Sequence, residues 1–473
     1  MEKIKKNYQL ILAIIFSEFL FISFSLPINP DDYWWHVKIG EWIVKNNAVQ
    51  KTEIYSWAAN LFTINWIDHS WAAEVPMYWI DVLFKDLAPL IFLLISGIVV
   101  YIAIFKINKE YYEKNKNAFI IFSFFYFVIF QKMLAPRPYI LGLAFLIFLL
   151  YELENIRKHN KMNYLKIIIL AILWTNMHGA SIILSFLFTG YYLFFSFLNI
   201  ENKHIKIPKQ SNEQKIKYAV TLVLSFLCSF VNPYGAKSVF YIFQHDKIAT
   251  QFIYEWQNVI TTKSFFIIGL CVVAGFFLFK KIKEMETQDL LIIIGLIFLS
   301  LYCIRYAMYL IALFPIFLLR YYEFNNENKK FNSFIRILGY MSIIMFVFAL
   351  MSAPKLTYKS ISDEMIETIK EEQPERIFNE YMLGGYLMYN DIPVFWDARA
   401  DLYRDCILLD SFLAQLNDDA SNKQYNFKPE EFINKYNFDY VLLTKTSKMN
   451  EYIKDLNYEI IKEDETIIFY KQK

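Results

Sequence analysis

The first apolar run of the chain is followed by Pro30-Asp31-Asp32-Tyr33-Trp34-Trp35-His36. This stretch places two adjacent carboxylates just where an apolar segment ends. Charge is costly inside a lipid bilayer, whereas Trp and Tyr favour the interface between bilayer and water. The stretch therefore predicts a membrane protein with a paired acid at the membrane surface, where it acts on something that reaches that surface.

The composition is typical of an integral membrane protein. Of the 473 residues, 56% are hydrophobic and 19% are aromatic, which is more than soluble domains usually contain. The formal net charge of +2 points to no partner, and we expect no nucleic-acid partner. Lys3, Lys5 and Lys6 precede the first apolar run as in a signal peptide. No small-residue cleavage site follows, so the run is interpreted as a retained first membrane helix.

The apolar runs predict about eleven transmembrane helices, because a spanning helix needs roughly 20 mostly apolar residues. The candidate spans are 8–26, 88–105, 118–134, 138–155, 164–177, 180–199, 216–231, 264–280, 288–304, 306–321 and 333–352.

The placement of lysines predicts the orientation of these spans. With eleven spans and a cytoplasmic N-terminus, every Lys-rich connection falls on the cytoplasmic side, as the positive-inside rule requires. These connections are 1–6, 106–116, 157–166, 203–217, 280–283 and 329–336. A twelfth span at Trp71–Leu83 would break the agreement, and that segment carries Glu74 and Asp81. We therefore predict an outer-surface helix there.

The predicted fold class is an α-helical polytopic membrane protein with a small C-terminal extracytoplasmic α/β domain. Residues 1–353 form the transmembrane domain, with a first outer loop at 27–87 and a second at 232–263, and residues 354–473 form the α/β domain. Periodicity in this tail predicts the helices Ser360–Glu372 and Phe427–Lys435, the short buried strands Pro393–Asp397 and Tyr440–Thr444, and a hairpin over Tyr458–Tyr470.

Asp31 and Asp32 are the first candidates for chemistry. A carboxylate can take the proton of a hydroxyl nucleophile or hold a divalent cation, and adjacent carboxylates can divide these roles. The alternative is that one of them caps the helix predicted over Tyr33–Val44. His36 lies on the same face of that helix as Asp32, and a second acid–histidine pair, Asp68-His69, ends the first outer loop.

Two arginines are predicted to lie at the outer membrane boundary. Arg137 stands between two prolines in one turn, and Arg305 lies in a later turn with almost no loop around it. Both can pair with a lipid phosphate, or they can snorkel to headgroups. At the same depth the chain has Asn176-Met177-His178-Gly179 and Asn232-Pro233-Tyr234-Gly235-Ala236-Lys237.

Further residues have two interpretations each. His36, His69, His178 and His245 are four of the six histidines and all fall on the predicted outer side, so that two or more either line one site or serve as structural residues. Arg399, in Phe395-Trp396-Asp397-Ala398-Arg399-Ala400-Asp401, either faces an acceptor or belongs to an internal Asp–Arg network. The sequence has no Walker loop, no GxGxxG after a strand, no CxxC pair and no HExxH.

In layout, the chain resembles the GT-C superfamily of membrane glycosyltransferases, which includes protein mannosyltransferases, oligosaccharyltransferases and aminoarabinose transferases. The specific likeness lies in Asp32-Tyr33-Trp34-Trp35-His36, Gly40-Glu41-Trp42, Trp66-Ile67-Asp68-His69-Ser70-Trp71, Gly384-Gly385-Tyr386 and Trp396-Asp397-Ala398-Arg399-Ala400-Asp401-Leu402-Tyr403, which look like segments of uncharacterised bacterial members.

The resemblance implies sugar transfer from a polyprenyl-phosphate donor, in the membrane of the cell envelope. Asp32 matches the family's proposed base, with Asp31 as the alternative. The family's usual acidic pair is Asp-Glu or Asp-x-Asp, and the departure here leaves a divalent metal cofactor open. The expected partners are a lipid-linked sugar donor, membrane lipids and an acceptor that the sequence does not identify. Substrate-binding roles are expected for His36, Asp68, His69, Arg137, His178, Tyr234, Lys237 and Arg305.

Two other functions stay open. A transporter or flippase of lipids or oligosaccharides would need polar residues throughout the spans, and beyond Glu18 the spans carry few. A non-catalytic protein of polysaccharide assembly would keep the fold and bind a polysaccharide or another membrane protein.

Overall fold

A computed structural model describes residues 31–62, 64, 66–112, 135–241, 247–322, 333, 337, 359–404, 406–416 and 419–473. The predicted spans 8–26 and 118–134 and nearly all of 333–352 lie outside this part of the chain, as do Glu18 and His245. The side chain of Asp31 also lies outside it.

The chain divides into two compact units. The first holds the described residues within Leu90–Phe243 and Ile253–Leu356, and the second those within Asn29–Pro89, Gln244–Phe252 and Thr357–Lys473. Sequence analysis assigns the first outer loop, 27–87, to the transmembrane domain. In the structure, residues 29–89 belong to the same unit as the tail, because their partners lie in the tail.

The first unit is a set of mostly apolar helices. Its helices are Ala88–Tyr112 (which begins just before the unit), Tyr139–His159, Tyr164–Met177, Ile183–Ser196, Asn212–Ser229, Ala236–Tyr241, Val259–Thr262, Phe265–Lys281, Thr287–Tyr302 and Ala307–Tyr321, and two short strands, β1 (Ile200–Glu201) and β2 (Lys206–Ile207), pair antiparallel. The helix Asn212–Ser229 begins with a capping box formed by Ser211 and Gln214.

Eight of the predicted spans coincide with these helices. Three stretches in the described part of the chain are long and apolar enough to cross a membrane: Trp71–Tyr111, Tyr139–His159 and Gly179–Ser196. Tyr164–Met177, Thr287–Tyr302 and Ile304–Phe317 are apolar but shorter. A mostly helical chain with apolar helices is therefore confirmed, and the number of eleven spans stays a prediction.

A buried ion network joins three helices of the first unit. Arg157 donates to Glu154 at 2.8 Å and to Asp289 at 3.1 Å. Arg320 donates to the same two carboxylates, at 2.9 Å and 2.8 Å. These four side chains are almost fully enclosed. Since buried charges are tolerated only when each is paired, the network fixes how these helices pack.

The second unit is built on a small mixed sheet. Its strand order is β3-β4-β6-β5, with β3 (Ile377–Asn379) parallel to β4 (Tyr440–Thr444) and the other pairs antiparallel, β5 being Tyr458–Glu463 and β6 Ile467–Gln472. The helices are Asp31–Asn46, Trp71–Phe84, Lys247–Phe252, Asp363–Glu372, Tyr381–Tyr389, Ala400–Tyr403, Leu408–Leu416, Asp419–Tyr425, Pro429–Tyr436 and Met449–Lys454. The predicted strand at 440–444, the closing hairpin and the helices near 360–372 and 427–435 are present.

The prediction of a strand at Pro393–Asp397 is wrong. The segment is buried, but it forms only a single parallel bridge, between Val394 and Ser56 of the first loop. Its other bonds go to side chains: Phe395 N donates to the Asn379 carboxamide at 2.9 Å, and Ser56 Oγ donates to Phe395 O at 2.7 Å. Side chains thus satisfy backbone N–H and C=O groups that a strand would have paired within the sheet.

Candidate functional site

In the second unit, two first-loop helices bring an acidic cluster together. The helix Asp31–Asn46 packs on the helix Trp71–Phe84, and the contact is close because residue 40 is glycine. A Cβ atom at Gly40 would overlap the backbone carbonyl oxygen of Glu74. Because Gly40 has no side chain, the two helices lie close enough for His36, one turn before Gly40, to contact Glu74.

His36, Glu74 and Asp68 are buried together in an acidic cluster. The Nδ1 atom of His36 lies 2.7 Å from Oε1 of Glu74. Burial, and next the charge of Asp68, raise the pKa of the Glu74 carboxyl well above its ordinary value of 4.5. Asp68 is held in turn by the backbone N–H of Ser70, 2.9 Å from its Oδ1 atom. Two acids and an imidazole are therefore buried together in the second unit.

Burial dominates the electrostatics of Asp68. It raises the pKa of this carboxyl above its ordinary value of 3.8, although neighbouring Glu74, the N–H of Ser70 and the nearby His69 each lower it. His69 itself is half-buried beside the cluster. The structure thus brings together His36, Asp68 and His69.

Asp32 lies one helical turn before His36 and is also buried. The indole N–H of Trp35 donates to its Oδ1 atom at 3.3 Å, and the same indole ring stacks on the imidazole of His36, with centroids 3.5 Å apart. Trp35 therefore connects Asp32 to His36 and, through it, to the acidic cluster. The helix already begins at Asp31, so both acids lie in its first turn, where the helix dipole favours negative charge.

Arg399 lies at the centre of a separate ion network in the same unit. It donates to Glu53 at 2.6 Å and to Asp397 at 2.6 Å, and Asp397 also accepts from the hydroxyl of Tyr403 at 2.7 Å. The guanidinium lies 5.1 Å from the ring centre of Trp66. Arg399 is fully buried. The internal network is thus the alternative present in the structure.

In the first unit, Arg137 and Arg305 bind one carboxylate. Arg305 Nη1 lies 2.7 Å from Oε1 of Glu255, and Arg137 Nη1 lies 3.3 Å from the same oxygen. Burial raises the pKa of Glu255, but the two guanidinium groups more than offset it and hold the pKa below its ordinary value. The two arginines from distant turns therefore converge on a single anion.

His178 lies in a turn that packs against the helix Tyr139–His159. His178 Nδ1 lies 2.6 Å from Ser181 Oγ. A Cβ atom at Gly142 would lie 2.7 Å from that same Nδ1 atom, so this turn packs against the helix about one and a half turns from Arg137.

Tyr234 and Lys237 lie in the connection after the helix Asn212–Ser229. Tyr234 is half-buried in a turn held by Asn232, and Lys237 is exposed on the helix Ala236–Tyr241. That helix packs against the turn Gly179–Ser181. Lys237 therefore lies on an element next to the His178 turn, with its charge open to solvent.

No group of three or more His, Cys, Asp or Glu side chains within the described part of the chain is arranged to hold a metal ion. Asp32 provides one carboxylate in the first turn of its helix. Its neighbours Trp35 and His36 contribute aromatic rings that contact each other.

Glu53, Glu74 and Glu255 are further candidates that the sequence alone did not identify. Glu74 had a signal: with Asp81 it forms a pair seven residues apart on an otherwise apolar helix, and this spacing puts both acids on one face. Both are buried. Glu255 had a weaker signal. It lies between Tyr254 and Trp256 in a loop, and an acid in such a loop can neutralise the charge of the two arginines.

Neither a protein-family model nor a curated protein matches this sequence. The chain is similar in structure to the oligosaccharyltransferase of Archaeoglobus fulgidus in its apo form, with a TM-score of 0.52 and 10% identity over 93% of this chain and 70% of that one. The same enzyme in complex with zinc and sulfate gives a TM-score of 0.53 and 12% identity over 92% and 68% of the two chains. This likeness shows that the chain shares the fold of that protein.

Proposed function

We propose that this protein is a membrane glycosyltransferase that moves a sugar from a polyprenyl-phosphate donor to an acceptor at the outer face of the membrane. The observation that carries the proposal is the fold shared with an oligosaccharyltransferase over more than nine tenths of the chain. The buried acid cluster and the convergent arginines supply the two kinds of group that such a transfer needs.

In the proposed reaction, the arginines hold the donor phosphate and Asp32 is the base. An acceptor hydroxyl attacks the anomeric carbon of the sugar as Asp32 takes its proton, and the polyprenyl phosphate leaves with the electrons of the broken C–O bond. Arg137 and Arg305 stabilise the charge on that phosphate, and His178 or Lys237 contributes. Asp31 orients the acceptor or a cation. Substrate-binding roles are proposed for His36, Asp68, His69 and Tyr234.

The binding of zinc and sulfate by the archaeal oligosaccharyltransferase is relevant in two ways. Sulfate has the tetrahedral shape of a phosphate, which supports an anion site in this fold. A divalent metal ion stays open for this chain, with Asp31 and Asp32 as the proposed ligands.

The function is tested by reconstituting the purified protein in liposomes with a polyprenyl-phosphate donor carrying a radiolabelled sugar. We expect loss of label from the lipid and appearance of free polyprenyl phosphate once an acceptor fraction is added. Movement of the intact labelled lipid across the bilayer, with no cleavage, would instead support the transporter or flippase. Binding without either event would support the non-catalytic assembly protein.

The proposed orientation has a separate test. Cysteines introduced at Asn115 and Lys423 in intact cells should differ, with position 423 open to an impermeant thiol reagent and position 115 protected. Labelling of position 115 from outside would reverse the assignment of the working face.

A further inference from the structure

The Glu255 carboxylate occupies the space in which the proposed function puts the donor phosphate. Its Oε1 atom is shared by Arg305, at 2.7 Å, and Arg137, at 3.3 Å, and the Arg137 guanidinium also lies 3.5 Å from Oε2. Two guanidinium groups around one anion are the arrangement that binds phosphate. The site therefore already contains an anion, supplied by the protein itself.

Glu255 makes no other side-chain hydrogen bond within the described residues. All the bonds of its carboxylate go to these two arginines. The surrounding loop is held independently: Ile304 N donates to Gln257 O at 3.1 Å, and the guanidinium of Arg305 stacks over Trp256 at 4.7 Å. The Glu255 side chain can therefore turn away by a change of rotamer while its backbone stays in position.

Solvent exposure separates this cluster from the other two-arginine network of the same unit. The side chains of Glu255, Arg137 and Arg305 are 34%, 24% and 25% exposed. In the Arg157–Arg320 network, the two shared acids Glu154 and Asp289 are only 5% and 1% exposed. An enclosed network of that kind fixes packing, whereas an accessible one can exchange its anion with a ligand.

We propose that Glu255 is an internal counter-anion that occupies the phosphate position between Arg137 and Arg305 and gives way when a phosphate group binds. This inference rests on the proposed function in taking those arginines as the donor-phosphate site. The exchange keeps the number of charge-assisted hydrogen bonds nearly constant. In the empty site, the Glu255 carboxylate reduces the repulsion between the two arginines. Because every phosphate must displace this carboxylate, it also weakens phosphate binding, which helps the product to leave.

The test measures how neutralising Glu255 changes phosphate affinity in the full-length protein in nanodiscs. The probes are undecaprenyl monophosphate, uncharged undecaprenol and inorganic phosphate, and the variants are Glu255→Gln, Arg137→Ala and Arg305→Ala. We expect Glu255→Gln to bind undecaprenyl monophosphate on the order of tenfold more tightly than the wild type. Undecaprenol should bind all variants equally.

Glu286→Gln is the matched control, because Glu286 is also a partly exposed partner of an arginine, Arg157, at 3.0 Å. It removes the same charge from the same unit and should leave phosphate affinity unchanged. A gain in Glu255→Gln with inorganic phosphate as well would support exchange at a site that recognises the phosphate alone. A gain confined to the lipid would support exchange at a site that also needs the prenyl chain.

Two results would overturn the counter-anion and the donor site separately. Unchanged or weaker binding by Glu255→Gln, with binding lost in the arginine variants, rejects the counter-anion and keeps the donor site. Wild-type affinity in both arginine variants rejects the donor site itself. Glu255→Ala repeats the measurement with no carboxamide, so that a residual contact from glutamine cannot hide the effect.

Discussion

The Arg399 guanidinium donates to the Glu53 carboxylate, 346 residues earlier in the chain, with 2.6 Å between Nη1 and Oε2. The first-loop segment and the tail meet in this pair inside one unit. Arg399 also holds Asp397, two residues before it. One buried cation thus fixes both the local turn of the tail and its long-range partner.

Replacing Arg399 by alanine should destabilise the protein strongly. Glu53 and Asp397 would be left buried without a counter-charge, and breaking a buried pair costs about 3–5 kcal/mol. The measurement is the midpoint of thermal unfolding of the full chain in detergent. Lys435→Ala is the control, since Lys435 forms an exposed pair with Asp410 and should unfold near the wild-type temperature. An Arg399→Ala protein as stable as the wild type would contradict the network.

The contact between loop and tail was beyond prediction from one sequence. Apolar runs and caps act over a few residues, which is why the helix near 360–372 and the strand at Tyr440–Thr444 could be predicted. The bond between Glu53 and Arg399 leaves no local pattern. For the same reason Pro393–Asp397 was predicted to be a strand, although its bonds go to side chains and to the first loop.

Gly40→Ala should disturb the acidic cluster from a distance. The added methyl would collide with the backbone carbonyl of Glu74, so the two helices must separate, at a cost of about 1–3 kcal/mol. We expect a lower unfolding midpoint and reduced transfer. Gly190→Ala is the matched control, because a Cβ atom there meets no atom within 4 Å. Equal effects of the two substitutions would refute the close approach.

The raised pKa of Asp68 predicts a dependence of stability on pH. Burial raises the pKa of the folded carboxyl above the ordinary 3.8, so the folded state keeps a proton that the unfolded state releases. The stabilisation is complete below pH 3.8 and is lost as the pH rises through the raised pKa. Asp68→Asn cannot titrate. Its unfolding midpoint should therefore fall less than that of the wild type as the pH is raised.

The control for this titration is Asp455→Asn, at an exposed aspartate of the same unit. It should follow the wild-type curve at every pH. A parallel decline of the Asp68→Asn and wild-type proteins would show that Asp68 does not hold the proton.

Asp32→Asn should abolish most of the transfer activity while leaving the fold intact. Asparagine keeps an oxygen for the Trp35 indole but cannot take a proton, and loss of a general base typically costs about 10²- to 10⁴-fold in rate. The rate is measured with the labelled lipid donor in liposomes. Asp86→Asn, at an exposed position of the same unit, should transfer at the wild-type rate. Near-normal turnover by Asp32→Asn would move the base to another residue.

The arginines and the carboxylate that joins them show what a sequence can and cannot reveal about a site. Arg137 and Arg305 were identified because each lies in a tight turn at the end of an apolar run. Glu255 lies in a longer loop, and its position in the sequence does not distinguish it from other charged loop residues. Only the three-dimensional structure shows that the two arginines converge on it.

The helix Trp71–Phe84 has its polar and apolar faces reversed with respect to a surface helix in water. Its acids Glu74 and Asp81 point inward, while Trp79 and Leu83 are 50% and 72% exposed. Three residues after this helix the chain enters the apolar helix Ala88–Tyr112. Since three residues span at most about 11 Å, the end of the helix lies close to the start of a candidate membrane span. Its exposed face should therefore lie in the lipid interface.

Spin labels test this placement in nanodiscs, on a background without the four native cysteines. A label at Leu83→Cys should be relaxed strongly by oxygen, which dissolves in lipid, and weakly by a water-soluble nickel complex. Glu367→Cys, on the exposed face of the amphipathic helix Asp363–Glu372, should show the opposite order. If the label at position 83 also responds mainly to nickel, the exposed apolar face contacts water or another protein surface. The helix Trp71–Phe84 would then serve a role other than anchoring the unit to the membrane.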